Sequence, residues 1–374
     1  MDVAVIGGGV IGLGIAWRAA LSGLSVLLAD PDPGSGASHV AAGMLAPVGE
    51  AHFGEQRLLA LNLASWRRYP TFCAELEAAS GLAVGFRSSG TLMVARDADD
   101  NAALEREYAF RESLNLDVRR LSSRECRNLE PRLSPSVRGG VFAAGDMQVD
   151  PRALVASLLV ACERAGVRIV RETAALNVVG GRATGVLCDG TSAVAAGFVV
   201  LAAGCWSPRV EGLPAGVIPP VRPVKGQILR LFAEGGEPFL TRVVRGVDVY
   251  ILSRSDGTVV AGSTVEEQGF DTAVTAGAVY DLLRDARELV PDIAELSLVE
   301  ANAGLRPGTP DNAPLIGETE LPGLLVATGH YRNGILLMPA TAEAIAGIVT
   351  GAPAPEAVVP FSPRRFQPLA GAPA

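Results

Sequence analysis

The sequence predicts an α/β protein of two lobes, in which a parallel sheet flanked by helices alternates along the chain with antiparallel strands. Residues 3–30 read as a buried strand, a glycine-rich turn, a helix and a second buried strand. A further helix and strand follow at residues 150–172. Residues 224–265 alternate apolar and polar side chains around a Ser-Asp-Gly turn, which is typical of an antiparallel sheet. These three observations predict the fold class.

The composition indicates a globular protein with a large core. Of the 374 residues 49% are hydrophobic, which is enough for two lobes. Acidic residues (40) outnumber Lys and Arg (32), and no basic block occurs, so we expect no nucleic acid partner. The apolar run Val3–Trp17 lacks a basic start and contains five glycines. It therefore predicts neither an export signal nor a membrane helix, and we expect no membrane partner.

The number and spacing of the cysteines and histidines indicate whether disulfide bonds or a metal site are expected. The five cysteines are scattered without a Cys-x-x-Cys pair, and their odd number does not suit a disulfide framework. We therefore expect reduced thiols and a cytoplasmic location. The three histidines, His39, His52 and His330, do not stand at i, i+4 spacing, so we expect no metal site.

The first strand and helix are joined by Gly7-x-Gly9-x-x-Gly12. One glycine permits the tight turn, one lets a diphosphate approach the backbone, and one lets the helix pack on the strand. The positive helix end then favours the anion. Asp30 ends the second strand, where a carboxylate can accept from both hydroxyls of an unmodified ribose. The unit predicts a Rossmann-type adenine dinucleotide site, with NAD and FAD both open.

The remaining elements interrupt and then resume this pattern. A helix near Leu58–Ala79 leads into strand-rich sequence and a charged helix around Asp97–Asn115. The helix capped by Asp150 resumes the first lobe, followed by a strand, a β-meander and a long buried strand. After the antiparallel segment, another helix covers residues 278–290. A nicotinamide enzyme would instead repeat strand and helix units directly.

Six segments of the chain resemble the FAD-dependent D-amino-acid oxidase family, and most closely its glycine oxidase branch, which supports thiazole formation in thiamine biosynthesis. They are GASHVAAGMLAP, FVVLAAGCWSP, PVKGQ, VVAGST, AGLRPGTPDNAPLIG and GHYRNGILL, which continues as GHYRNGILLMPAT. The resemblance implies a discontinuous FAD-binding domain at 1–80, 148–220 and 300–368. It implies an α+β substrate domain on a mostly antiparallel sheet at 81–147 and 221–299, with a loose tail at 369–374.

The resemblance also implies cofactor contacts. They fall on Gly7, Gly9, Val10, Ile11, Gly12, Asp30, Ala37, Ser38, Ala42, Gly43, Met44, Ala175, Gly204, His330, Tyr331, Arg332, Asn333, Gly334, Ile335 and Leu336. No cysteine lies near Gly334, so we expect non-covalent FAD. Pro339 predicts the first turn of a C-terminal helix and Gly351 its end. Its positive N-terminus would face the flavin and favour electron acceptance.

The resemblance assigns the substrate carboxylate to Arg306 and Arg332, with the Tyr250 hydroxyl as a third donor. Arginine suits this task because its planar fork matches two carboxylate oxygens. If the strand alternates through residues 248–250, Asp248 shares a face with Tyr250 and could contact the amine. The chain departs from the family pattern at Asp248, where a histidine is expected, and at Val265, where a larger methionine is expected.

The implied activity is oxidation of glycine, and of small amines such as sarcosine or D-alanine, to the imine or 2-oxo acid, ammonia and hydrogen peroxide. The implied partners are a small amino acid, molecular oxygen, thiazole synthase downstream, and further copies of the chain in a tetramer. One alternative is a D-amino-acid, sarcosine or proline oxidase, or a dehydrogenase with another electron acceptor. A second alternative is a non-catalytic dinucleotide-binding redox sensor.

Overall fold

The structure, a computed structural model, describes residues 1–366, and the tail predicted at 369–374 lies outside them. The helices are α1 (Val10–Leu21), α2 (Ala37–Val40), α3 (Gln56–Ser80), α4 (Ala98–Ser113), α5 (Ser123–Leu129), α6 (Pro151–Arg164), α7 (Ala276–Leu289) and α8 (Gly334–Val349). The strands are β1 (Val3–Ile6), β2 (Val26–Ala29), β3 (Met44–Leu45), β4 (Thr91–Ala95), β5 (Arg119–Ser122), β6 (Gly139–Ala143), β7 (Met147–Gln148), β8 (Arg168–Val170), β9 (Ala174–Val179), β10 (Arg182–Cys188), β11 (Ser192–Ala195), β12 (Phe198–Leu201), β13 (Arg222–Phe232), β14 (Val243–Arg245), β15 (Tyr250–Ser253), β16 (Thr258–Gly262), β17 (Ser297–Gly308), β18 (Leu315–Glu318) and β19 (Leu324–Thr328).

The first lobe is built on a six-stranded sheet in the order β18-β19-β12-β1-β2-β8, parallel except for β18. Successive side chains of β1 point to opposite faces of the sheet, as in any β-strand. Val3 and Val5 pack with α1, α3, α6 and α8. Ala4 and Ile6 pack against β9 and β10, which form a three-stranded sheet with β11. Both faces of the central sheet are therefore covered.

The second lobe is an eight-stranded sheet in the order β17-β13-β16-β15-β14-β4-β6-β5, and only the β14–β4 pair within it is parallel. Helix α7 packs on one face through Leu282, Ala286 and Leu289. Strand β17 pairs with β13 over its whole length, so the division predicted at residue 300 falls inside a strand of this sheet. The predicted architecture of two interleaved lobes is confirmed.

Aspartate side chains cap the N-termini of two helices. The Asp97 carboxylate accepts from the Asp100 N–H at 2.8 Å and begins α4. The Asp150 carboxylate accepts from the Arg152 N–H at 2.9 Å and begins α6. Of the helices described, none combines the length and apolar character that crossing a membrane requires.

Candidate active site

A cavity of about 770 Å³ lies between the two sheets and collects most of the predicted site residues. Those lining it are Gly7, Gly9, Val10, Ile11, Asp30, Ala37, Ser38, Ala42, Gly43, Met44, Ala175, Gly204, Tyr250, Arg306, His330, Tyr331, Arg332, Gly334 and Ile335. Four predicted residues lie outside its lining, namely Gly12, Asp248, Asn333 and Leu336. Residues far apart in the chain therefore meet in one cavity.

The glycines of the first turn have separate physical roles. Gly7 has a φ of +110°, and a Cβ there would lie 2.5 Å from the Ala202 carbonyl oxygen. A Cβ at Gly12 would collide with the Gly7 carbonyl, so Gly12 allows α1 to pack on the strand and does not face the cavity. At Gly9 a Cβ would meet only the Ser38 hydroxyl, at 3.5 Å. Gly9 thus leaves the cavity side of the turn open.

The donors and acceptors at this turn fit an adenine dinucleotide. The first N–H groups of α1 have no intrahelical acceptor, as at the start of any α-helix. No acidic side chain lies in its first turn, and Gly9 supplies no side-chain cap. The Val10 N–H donates to the Ser38 hydroxyl at 3.0 Å. Asp30 accepts from the Gly8 N–H at 2.6 Å and from the Asp32 N–H at 2.8 Å, and it lines the cavity. The turn is preorganised for an anion, with a carboxylate where a ribose would lie.

The start of α8 differs from the sequence prediction. The helix begins at Gly334, so Pro339 lies inside it rather than in its first turn. Gly351, with φ +86°, follows the helix end as predicted. Gly334 and Ile335 line the cavity at the positive end of the helix.

Two hydroxyls from α3 compensate for the proline in α8. Proline has no N–H to donate to the Ile335 carbonyl. The buried Tyr69 hydroxyl donates to that carbonyl at 2.5 Å. The buried Ser65 hydroxyl donates to the Leu336 carbonyl at 2.6 Å and accepts from the Ala340 N–H at 3.3 Å. These contacts fix the first turn of α8 against α3.

His330 is a buried structural link beside the cavity. Its Nε2 lies 3.0 Å from the Thr341 hydroxyl, which joins the loop to α8. Burial lowers the pKa of His330 to about 3, so the ring is neutral at pH 7. His330 therefore brings no positive charge to the cavity.

Arg306 lies on β17 and directs its guanidinium to the cavity. It donates to the Thr264 carbonyl at 3.1 Å and to the Ser263 hydroxyl at 2.7 Å. A side chain at Gly226 would occupy the space of the guanidinium, so this glycine makes room for it. No carboxylate within residues 1–366 lies within 4 Å of Arg306, which leaves its charge available to an anionic ligand.

Arg332 also lines the cavity, but other side chains hold it. Its guanidinium lies 3.3 Å from the Glu55 carboxylate and 3.0 Å from His52 Nε2. Burial, followed by the positive charges of Arg332, Arg245 and Arg111, lowers the pKa of His52 to about 4. His52 is therefore neutral at pH 7 and accepts from Arg332. Arg332 reaches a ligand only in competition with Glu55.

Tyr250 begins β15, and its side chain lies close to Gly262, where a Cβ would meet the hydroxyl at 2.7 Å. Burial raises the pKa of Tyr250, while Arg306 and a hydrogen bond with Ser263 act in the opposite direction. The hydroxyl is protonated at neutral pH and can donate. Ser263 contacts both Tyr250 and Arg306 and was not among the predicted site residues.

The prediction for Asp248 is wrong in its geometry. Asp248 lies in the bend between β14 and β15, so the alternation that would place it on the face of Tyr250 does not hold. Its carboxylate pairs with Arg96 at 3.0 Å and does not line the cavity. The structure offers no contact from Asp248 to an amine in this cavity.

Four acids of the cavity lining, Asp32, Glu50, Asp189 and Glu211, were not among the predicted site residues. Glu50 lies in the loop after β3, and the turn before it is fixed from several sides. The buried Asp146 carboxylate accepts from the Gly49 N–H at 2.9 Å. Arg111 donates to the Val48 carbonyl at 2.8 Å and to the Gly49 carbonyl at 2.9 Å. The only sequence signal for Glu50 is its place a few residues after GASHVAAGMLAP.

No group of three or more His, Cys, Asp or Glu residues within positions 1–366 could hold a metal ion. The cavity combines the N-terminus of α1, the Asp30 carboxylate and the Arg306 guanidinium, which has no carboxylate within 4 Å in residues 1–366. This combination fits a dinucleotide-binding enzyme.

Comparison with known proteins identifies the class. The profile of the DAO family, described as FAD dependent oxidoreductase, matches residues 2–348. The chain is 35% identical to the glycine oxidase of Geobacillus kaustophilus over 365 residues, covering 96% of each chain. The crystal structure of glycine oxidase from Geobacillus kaustophilus superposes with a TM-score of 0.90 at 34% identity, covering 98% of this chain and 99% of that one.

A bifunctional protein ThiO/ThiG of Synechocystis is 35% identical over 374 residues, which is 98% of this chain and 54% of that protein. The chain thus spans about half the length of this relative. The protein belongs to the DAO family of FAD-dependent oxidoreductases. It is an FAD-dependent amino acid oxidase, and FAD is its cofactor.

Proposed function

We propose that this enzyme oxidises glycine, and less readily sarcosine or D-alanine, and that its product serves thiazole formation in thiamine biosynthesis. Arg306 carries the proposal, because its guanidinium faces the cavity without a carboxylate partner and shares Ser263 with Tyr250. A small zwitterion offers little apolar surface, so its carboxylate must supply most of the orientation. The likeness to glycine oxidases supports glycine as the substrate.

In this mechanism, FAD would be held by the glycine turn, Asp30, Ser38–Met44 and the start of α8. When bound non-covalently there, FAD supplies the acceptor for the hydride from the substrate Cα. Arg306 binds the substrate carboxylate, and the Tyr250 hydroxyl donates to it. The amine loses its proton to solvent on or before binding, so no dedicated base is required. Fixing the carboxylate and Cα supplies several kcal/mol of the rate acceleration.

The reaction converts glycine, oxygen and water into glyoxylate, ammonia and hydrogen peroxide through free iminoacetate. Iminoacetate either hydrolyses or passes to thiazole synthase. The existence of a relative named bifunctional protein ThiO/ThiG supports this coupling. We also propose a tetramer in the cytoplasm, where the five buried, unpaired cysteines would remain reduced.

The deciding experiment compares oxygen consumption and peroxide formation with glycine, sarcosine, D-alanine and D-proline. We expect the highest kcat/KM with glycine. Preference for D-proline or sarcosine would assign the chain to another activity of the same family. Anaerobic reduction of the flavin without oxygen consumption would indicate a dehydrogenase. No absorbance change with any amine would support the redox sensor.

A further inference from the structure

The segment Ser38–Met44 lines the cavity with every residue except His39, and arginine side chains bind two of its carbonyl groups. Arg230 donates to the His39 carbonyl at 2.9 Å, and Arg152 donates to the same carbonyl at 3.1 Å. Arg254 donates to the Ala42 carbonyl. Arginine side chains from α6 and the second lobe thus hold the backbone that faces the cavity.

Arg254 differs from the other two arginines because no carboxylate in the described chain pairs with it. Arg152 and Arg230 share the Glu300 carboxylate, at 2.9 and 3.4 Å. Arg254 is 6% exposed, its other bond goes to the neutral Gln148 side chain at 3.2 Å, and no carboxylate in the described chain lies within 4 Å of it. Burial lowers the pKa of Arg254 to about 10, so it is still protonated at pH 7. A buried positive charge lies directly behind the cavity wall.

The peptide between Ala42 and Gly43 connects this charge to the cavity. A trans peptide directs its C=O and N–H to opposite sides, so the Gly43 N–H points away from Arg254. Within residues 1–366 this N–H has no hydrogen-bond acceptor, although Gly43 is buried and lines the cavity. Gly43 has φ +85°, and a Cβ there would collide with the Val149 carbonyl, so only glycine fits this position. The Gly43 carbonyl accepts from the Val149 N–H at 2.9 Å, which holds the backbone in this orientation. A buried donor without a partner indicates a ligand acceptor at this point.

We infer that Arg254 is a positioning residue that raises the reduction potential of the flavin. It orients and polarises the Ala42–Gly43 peptide, so that the Gly43 N–H donates more strongly to a ring that gains electrons and negative charge. The inference rests on the proposed position of the flavin along Ser38–Met44.

The test measures the two-electron midpoint potential of the purified holoenzyme by equilibration with a redox dye. We expect Arg254→Met to lower the equilibrium constant for reduction at least tenfold, which is about 30 mV for two electrons. Arg254→Lys keeps the charge and should retain most of the potential. The matched control is Arg87→Met, which removes the same charge from an arginine that donates to the Ser253 carbonyl at 2.9 Å outside the cavity lining. We expect the control to change the constant less than threefold.

A second variant tests the charge without removing Arg254. Gln148→Glu places a carboxylate against the guanidinium and should also lower the potential tenfold, even where Arg254→Met fails to retain FAD. An unchanged potential in Gln148→Glu, or an equal shift in Arg87→Met, overturns the inference. Anaerobic glycine added to the wild-type enzyme separates the two proposals. If glycine fails to reduce the flavin while the variant potentials still shift, only the proposed function is wrong.

Discussion

At the scale of single residues, the two arginines in the cavity differ in what holds them. Arg306 is held by a hydroxyl and by carbonyl oxygens, which leave its net charge uncompensated. Arg332 is held by the Glu55 carboxylate. We therefore expect the two to contribute differently to substrate binding, although the family resemblance assigned them the same task.

Arg306 should carry most of the carboxylate binding. We expect Arg306→Ala to lower kcat/KM for glycine at least tenfold, because a lost charge-assisted hydrogen bond costs about 1.5–3 kcal/mol. Arg306→Lys should recover part of the loss, since it keeps the charge without the planar fork. Steady-state kinetics on FAD-loaded protein measures this, with Arg284→Ala at the surface as control. A loss of kcat/KM below threefold in Arg306→Ala would show that Arg306 does not bind the substrate carboxylate.

We propose that Glu55 competes with the substrate for Arg332. We expect Glu55→Gln to lower KM for glycine about two- to fivefold, because partly exposed ion pairs are worth up to about 1 kcal/mol. Glu75→Gln, which removes a carboxylate paired with Arg18, is the control of equal charge. Initial rates over a range of glycine concentrations provide the measurement. A raised KM in Glu55→Gln would mean that the ion pair positions Arg332 rather than restraining it.

At the scale of elements, α8 depends on α3 for its first turn. Tyr69→Phe should destabilise the protein by about 1–3 kcal/mol, because it leaves the Ile335 carbonyl buried without a donor. Pro339→Ala restores an N–H for that carbonyl and should recover part of the loss in the double variant. Urea unfolding of the single and double variants measures the coupling.

The control for these unfolding measurements is Tyr108→Phe, which removes a hydroxyl bonded to Glu112 at the surface. It should change the free energy of unfolding little. Additive effects of Tyr69→Phe and Pro339→Ala would show that the hydroxyl does not compensate for the proline.

Local signals predicted the elements well where they acted within a few residues. The Asp150 cap and the glycine turn follow from short motifs. Pro339 was misplaced because proline is common in a first helical turn, and the hydroxyls that permit it inside α8 come from about 270 residues away. Asp248 was misplaced because alternation was extended through a bend.

At the scale of the whole molecule, the sequence predicted two interleaved lobes but not how they hold the cavity between them. Glu55 meets Arg332 across 277 residues, and Arg254 meets Ala42 across 212. Such contacts have no local pattern, because they depend on how the sheets pack. The boundary at residue 300 was misplaced for the same reason, since pairing with β13 places β17 in the second sheet.

Asp146 joins the strands of the second lobe to the loop of the first and should make the stability of the molecule depend on pH. Burial raises the pKa of Asp146 to about 7, whereas an aspartate in the unfolded chain titrates near 4. The native state therefore binds this proton more tightly. The resulting stabilisation is complete below about pH 4 and is lost as the pH rises through about 7.

Asp146→Asn cannot titrate, so the Tm difference, variant minus wild type, should increase between pH 5 and pH 8. Thermal unfolding at several pH values measures it. Asp99→Asn at an exposed helix start is the control and should give a flat difference. The asparagine can still accept from the Gly49 N–H, so the turn before Glu50 should be retained. A difference that stays constant or decreases with pH would show that the buried carboxyl is ionised throughout this range.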